Sequence, residues 1–373
     1  MARSSGQVHI RVAPAAAWPE ISPLWQGVAG ASPHSSFFLT TDWIETWLES
    51  FCDLVRPSIL VFESGRSAVG ACLVVSTVYR RALFPIRRVS LNAAGEPAKD
   101  TTYVEFNDVL CRPGWEEPIA RALVDHLLSL EWDELSLDGF CEGIALTALQ
   151  NALTDFAQDI HVKPSYYVDL VTLRRSQCPY ENELGPKTRK HLRQNLRYYG
   201  ERGPLRVEAA GNPAEALEMI NHLADLHQKT WAERGREGTF ASARFRGFHR
   251  ALVSRSFQRG AIQLLEVLAG EETVGLLYNF VYRGKVYFYQ SAYNYEDRRS
   301  SPGMVTLYHA VQHCLDAGLE EFDFLAGDDR YKKSLSTNSR RLVWAVFRKP
   351  KVKFKLIGCL SQLKHLAAQA RSR

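Results

Sequence analysis

The stretch Lys285–Lys333 reads KVYFYQSAYNYEDRRSSPGMVTLYHAVQHCLDAGLEEFDFLAGDDRYKK. Val286–Ala292 is rich in aromatic and β-branched residues, as a strand is. A loop containing Arg298-Arg299 and Ser300-Ser301-Pro302-Gly303 follows. Proline is tolerated in the first turn of a helix, where its missing N–H is not needed. The spacing therefore predicts a helix from this loop to Ala317-Gly318. A second strand, Glu321–Leu325, then leads into Gly327-Asp328-Asp329-Arg330-Tyr331-Lys332. This order sets a helix N-terminus and a lysine beside neighbouring strand ends, a place that suits an anionic ligand and developing negative charge.

Working outward, the same plan occurs twice. Thr41–Phe51 reads as a helix, followed by strands Ser58–Glu63 and Ala68–Thr77 around a Ser64-Gly65 turn. Ala214–Arg234 and Ala243–Phe257 read as helices, followed by strands Ala261–Ala269 and Thr273–Tyr282 around Gly270-Glu271-Glu272. Both hairpins carry Gly-x-x-x-Val-Gly, as Gly65…Val69-Gly70 and Gly270…Val274-Gly275. Each half then offers a helix and a short strand with an acidic start: Glu116–Leu130 with Asp133–Leu137, and Val305–Ala317 with Glu320–Leu325. We read an internal duplication and a mixed α/β (α+β) sheet fold in two tandem domains. Residues 1–175 form the first, 176–204 a basic helical connector, and 205–373 the second with a basic tail. In the connector, Pro186 opens a helix and Leu192, Leu196 and Tyr199 form one apolar stripe.

The 373 residues carry a net charge of +5. Of the 46 Lys/Arg, 13 lie in 330–373 with no acid, leaving 33 against 41 acids elsewhere, a net of −8. With Lys187–Arg206, this tail is read either as solvated faces or as a surface for phosphates. The tail alternates Val352, Phe354 and Leu356 with lysines and reads as a strand leading into an amphipathic helix. Seven cysteines without a CxxC pair argue against a disulfide framework or zinc cluster. No apolar run is long enough to span a bilayer, and the first twenty residues lack an apolar signal core, so the expected compartment is the cytoplasm. GxGxxG, GxxxxGK[ST] and HExxH are absent. His309 and His313 at i, i+4 lack a third ligand, so no metal is expected.

Ser301-Pro302-Gly303 opening a helix, Ala317-Gly318 closing it, then Phe322-Asp323-Phe324, Gly327 and Tyr331-Lys332 resemble the GCN5-related N-acetyltransferase (GNAT) fold. The match is nearer to its two-domain relatives, the FemAB-like aminoacyl transferases and the CelD/BioF2-like acyltransferases. Lys187-Thr188-Arg189-Lys190 is similar to the basic helix that precedes the catalytic domain there. The loop departs from the GNAT pyrophosphate signature, Arg/Gln-x-x-Gly-x-Gly/Ala, in holding one glycine. No long coiled-coil insertion is present, which favours the CelD-like branch.

The resemblance implies two tandem GNAT-like domains, the second catalytic. It implies an acyl group, acetyl by expectation, moving from acyl-CoA to an amine or hydroxyl by direct attack. Arg298, Arg299, Ser300, Ser301, Pro302 and Gly303 are the expected donor site, with Tyr289 and Gln290 on the preceding strand. Lys332 and Tyr331 are the expected catalytic pair, with Asp323 as base or loop pin and Asp328 as the alternative base. Trp231, Arg234, Phe240 and Ser291 are expected on the acceptor side. Tyr287, Tyr289 and Ser291 are taken to share one strand face. The expected partner is a small-molecule or glycan acceptor, such as a polysaccharide precursor, with no DNA. Alternative readings are an aminoacyl-tRNA donor, peripheral membrane contact through the basic tail, and a non-catalytic binding module.

Overall fold

The computed structural model describes residues 7–295 and 300–360. They form two compact units, divided between 162 and 163 and again between 342 and 343, with the segment after 342 belonging to the first.

In the first unit the order is β1 (His9–Pro14), α1 (Trp18–Ala31), α2 (Thr41–Phe51), β2 (Arg56–Ser64), β3 (Ser67–Arg81), β4 (Phe84–Leu91), β5 (Leu110–Cys111), α3 (Glu116–Ser129), β6 (Glu134–Cys141) and α4 (Ile144–Ala152). β7 (Ala157–Asp169) passes into the second unit. There follow α5 (Leu170–Ser176), α6 (Tyr180–Glu183), α7 (Pro186–Gly200), β8 (Leu205–Ala209), α8 (Pro213–Glu233), α9 (Ala243–Ser256), β9 (Ile262–Ala269), β10 (Glu272–Tyr282), β11 (Lys285–Tyr293), α10 (Pro302–Asp316), β12 (Glu321–Ala326) and α11 (Arg330–Leu335). β13 (Asn338–Arg348) returns to the first.

The duplication is visible in the pairing. β1-β2-β3-β4 are antiparallel and β4 runs parallel to β6. β8-β9-β10-β11 are antiparallel and β11 runs parallel to β12. The two Gly-x-x-x-Val-Gly motifs do equivalent jobs. Gly65 and Gly270 take φ of +61° and +62° in the hairpin turns, a region open to glycine. Gly70 and Gly275 let a helix approach the sheet. A Cβ at Gly70 would lie 2.5 Å from Ile119 of α3, and one at Gly275 2.6 Å from Thr306 of α10.

The unit boundaries differ from those expected at 175 and 205. Val343, Ala345 and Phe347 of β13 enter the first unit's core with Leu135, Leu137 and Phe140 of β6. The end of β7 closes the second sheet against β12. Hydrophobic burial, not chain order, assigns these strands.

Four cations of the basic tail, Arg348, Lys349, Lys351 and Lys353, are spent inside the first unit. Asp133, fully buried, accepts from Lys351 Nζ at 2.7 Å, from Lys353 Nζ and from the Arg87 N–H at 2.7 Å. Burial alone would raise its pKa, but those hydrogen bonds outweigh it and hold the carboxyl down at about 2. Glu134 takes Arg88 and Arg348, and Lys349 lies 4.4 Å from the Trp132 ring centroid. Residues 352–360 are helical, so 352–356 are not the expected strand, while 361–370 of the helix expected from Ile357 lie outside the described residues. Val352 and Leu356 stand at i and i+4 as well as at period two, and Ile357 supplies the buried contact.

Candidate functional site

α7, the expected connector helix, belongs to the second unit, with Leu192 and Tyr199 buried. Beside that apolar stripe runs a polar one, Lys187, His191, Asn195 and Tyr199, at four-residue steps. Its members grip the start of α10. Asn195 Oδ1 accepts the Ser301 N–H at 2.7 Å, His191 Nε2 lies 3.4 Å from Ser301 Oγ, and the Tyr199 hydroxyl donates to Ser300 Oγ at 2.9 Å. Ser301 is the N-cap of α10 but makes no side-chain cap bond, and Pro302 follows it. A helix start of this kind leaves backbone N–H groups and the positive end of the dipole turned outward.

A cavity of about 630 Å³ opens at this point, within the range of small-molecule sites. Four elements line it: Lys187, Thr188 and His191 of α7; Tyr293 at the end of β11 and Tyr295 just after it; Ser300, Ser301, Gly303, Met304 and Leu307 at α10; Arg330, Tyr331, Ser334 and Leu335 at α11. Cations and hydroxyls thus share the wall with apolar side chains. A Cβ at Gly303 would come within 3.3 Å of the Tyr293 ring, so glycine keeps this wall open.

Ser300, Ser301, Gly303 and Tyr331 therefore meet at one cavity, with Pro302 buried at the head of α10. Arg298 and Arg299 lie outside the described residues. Tyr331 is 40% exposed. Desolvation, with the nearby Asp329 and Tyr295, raises its phenol well above the usual value.

Lys332 does not line the cavity. Its ammonium is buried and donates to the carbonyls of Leu325 at 3.2 Å and Ala326 at 2.7 Å, 3.9 Å from Asp329 Oδ2. Leu325 takes a left-handed φ of 60°, strained for a branched residue. The Asp323 carboxylate steadies it by accepting the Leu325 N–H at 2.7 Å and the Ser165 hydroxyl at 2.7 Å. Gly327, at φ 144°, passes so close to Lys332 Nζ that a Cβ would sit 3.0 Å away. Asp323 and Lys332 thus brace the turn that carries Tyr331 into the cavity. Asp328 is exposed and accepts the Tyr166 hydroxyl at 3.1 Å.

Burial pushes the Asp323 pKa up to about 6, against the Arg340 guanidinium and with help from Glu321. Its folded pKa is raised, so its contribution to stability is full below about pH 4 and lost as pH rises through 6. Two units correspond to about 3 kcal/mol. Asp323→Asn keeps an oxygen for Leu325 and removes this titration. Denaturant unfolding from pH 4 to 7 should therefore fall less steeply in the variant; parallel curves would show that Asp323 is ionised throughout.

The strand before the loop departs from the expected facing. Phe288 pairs with Asn279 and Gln290 with Tyr278, so Tyr289 sits in a β-bulge. A bulge shifts the alternation by one residue. Tyr289 consequently packs against His249, Tyr278 and Phe280, at ring separations of 5.1, 6.0 and 4.6 Å, and does not line the cavity. The half-buried Gln290 pairs opposite Tyr278, and Ser291 lies beyond the bulge with Tyr293.

Trp231 Nε1 donates to His227 Nε2 at 2.9 Å, and Phe240 meets the His227 ring edge-on at 5.2 Å. Arg234 lies 5.7 Å from the Trp231 ring centroid and 5.6 Å from that of Tyr295. These residues form one cluster that reaches the cavity only through Tyr295.

With this geometry in view, the comparisons are specific. The family described as an acetyltransferase (GNAT) domain matches residues 186–333, the segment from the start of α7 to α11. The solved structure of FemX is similar over 87% of this chain and 95% of its own, with a TM-score of 0.55 and 11% identity. A conserved protein of unknown function from Bacteroides thetaiotaomicron is similar over 92% of this chain and 100% of its own, with a TM-score of 0.52 and 10% identity. No curated protein sequence matches the chain. The chain thus has a GNAT/FemAB-related fold, and residues 186–333 are similar to the acetyltransferase (GNAT) domain family.

Proposed function

We propose that the second unit transfers an acyl group from acyl-CoA to an amine or hydroxyl, and that the cavity at the start of α10 is its donor site. The observation that carries this is the juxtaposition of an open helix N-terminus with Lys187, Arg330 and Tyr331 around one cavity. The α10 N–H groups and the two cations suit a pyrophosphate. The wall of Met304, Leu307 and Tyr293 suits a pantetheine arm. The acceptor's nitrogen or oxygen attacks the thioester carbon. The new bond forms, the C–S bond breaks, and the departing thiolate, steadied by a hydrogen bond from the Tyr331 hydroxyl, takes the proton that the acceptor gives up, relayed by water at the cavity mouth. Lys332 and Asp323 act by positioning Tyr331. Trp231, Arg234, Phe240 and Ser291 remain the acceptor-side candidates. The resemblance extends the acceptor class to sugars and polysaccharide precursors, a matter of analogy.

Calorimetric titration with acetyl-CoA and longer acyl-CoAs tests the reading. Binding is expected in wild type, and Asn195→Ala, which frees the Ser301 N–H and loosens the loop, should weaken it about tenfold, the worth of one buried hydrogen bond. Absence of binding to every CoA, with salt-sensitive binding of aminoacyl-tRNA instead, would replace the donor. Binding of neither would leave a non-catalytic module.

A further inference from the structure

We propose that one corner of the first unit is a docking surface for a membrane bearing anionic phospholipid. Among the described residues, the three most exposed large apolar side chains are Leu83, Val352 and Val78, at 79%, 71% and 69%. They belong to neighbouring segments. Leu83 occupies the turn joining β3 to β4, after Ala82 at φ 53°. Val78 stands on the arm of that hairpin, opposite Arg87. Val352 opens the helical stretch 352–360, and the next residue, Lys353, donates to the Pro85 carbonyl at 3.0 Å, two residues from Leu83. Leu356, 46% exposed, follows one turn after Val352. Single exposed apolar residues are ordinary; a convergent group is a contact surface.

Charge identifies the partner. Arg80 shares a strand face with Val78, Lys355 lies between Val352 and Leu356, and neither has an acidic partner among the described residues. Arg81 and Arg87, 49% and 47% exposed in their side chains, point the same region further toward positive potential. Among the described residues the exposed acids there are Glu131 and Asp159, the latter paired with Arg348; Asp133 and Glu134 are buried and outnumbered by their cations. A hairpin tip and a helix start project rather than form a pocket. Projecting apolar tips ringed by arginine and lysine suit the head-group boundary, with apolar ends sunk and cations level with phosphate. No helix of the described residues is long and apolar enough to cross a membrane, so the contact is peripheral. This proposal is independent of the acyl-donor reading.

Co-sedimentation of the full chain with vesicles tests it. Wild type should bind vesicles of one part phosphatidylglycerol to two parts phosphatidylcholine, less as salt rises, and should not bind phosphatidylcholine alone. Leu83→Asp and Val352→Asp should each lower binding about tenfold or more. Arg80→Ala and Lys355→Ala should cost roughly fivefold per cation. All four positions are exposed, so unchanged thermal midpoints should confirm folding. Equal binding to both vesicles, no binding, or full retention in Leu83→Asp would overturn the proposal. Self-association abolished by Leu83→Asp would do so too, assigning the surface to a second copy.

Discussion

Tyr331→Phe is expected to lower kcat about hundredfold, within the range for removal of one hydrogen-bond donor to developing charge, while acyl-CoA affinity stays unchanged. The substitution deletes only the hydroxyl, so the ring keeps its place in the cavity wall. Desolvation, Asp329 and Tyr295 all favour the protonated phenol. The hydroxyl therefore stays a hydrogen-bond donor throughout the neutral range, and charge developing on a departing thiolate is steadied by such a donor. The same raised pKa sets a pH expectation: turnover should hold on the alkaline side until well above the usual tyrosine range. Steady-state kinetics with a separate donor titration reads both effects. An unchanged kcat would remove Tyr331 from the chemistry, and a parallel loss of donor affinity would make it a binding residue.

Asp133→Ala is expected to cost the first unit about 2 to 3 kcal/mol at neutral pH. A carboxyl held near pH 2 rather than its ordinary 3.9 contributes about 2.5 kcal/mol. Loss of the acceptor for the Arg87 N–H adds to this, while Lys351 and Lys353, 33% and 21% exposed, recover water and keep the total below that of a fully buried pair. The folded pKa is depressed, so this stability is present above about pH 4 and disappears as pH falls through 2. The gap between wild type and variant should therefore close in acid. Denaturant unfolding across that window measures it. A gap that persists at pH 2 would mean that packing, not the ion pairs, holds the tail.

Much of the architecture could be read before the coordinates because it rests on local chemistry. The paired Gly-x-x-x-Val-Gly motifs mark a turn and a helix–sheet approach, and both are backbone requirements that only glycine meets. Pro302 announced the start of α10 for the same kind of reason. What stayed hidden depends on contacts distant in sequence. The bulge at Tyr289 reverses the facing of Ser291 and is set by pairing with β10, not by any residue in β11. The assignment of β13 to the first unit rests on Val343, Ala345 and Phe347 finding β6. In the site, Ser300, Ser301, Gly303 and Tyr331 could be anticipated. Lys187 belonged to the basic run that suggested a phosphate surface; His191 and Asn195 carried a signal in their four-residue spacing from it on α7, but it lies beside the stronger apolar stripe. Lys332 fits a catalytic pattern as a lysine after an aromatic residue; that its ammonium holds two carbonyls of a strained turn is a contact that no spacing in the sequence announces.

The most direct test is a crystal structure with acetyl-CoA bound. The account predicts a pyrophosphate within hydrogen-bond reach of the Gly303 N–H, cations from Lys187 and Arg330 beside it, and the thioester directed to the Tyr331 hydroxyl. A fully occupied acetyl-CoA bound elsewhere, or an empty cavity at saturating donor, would contradict it.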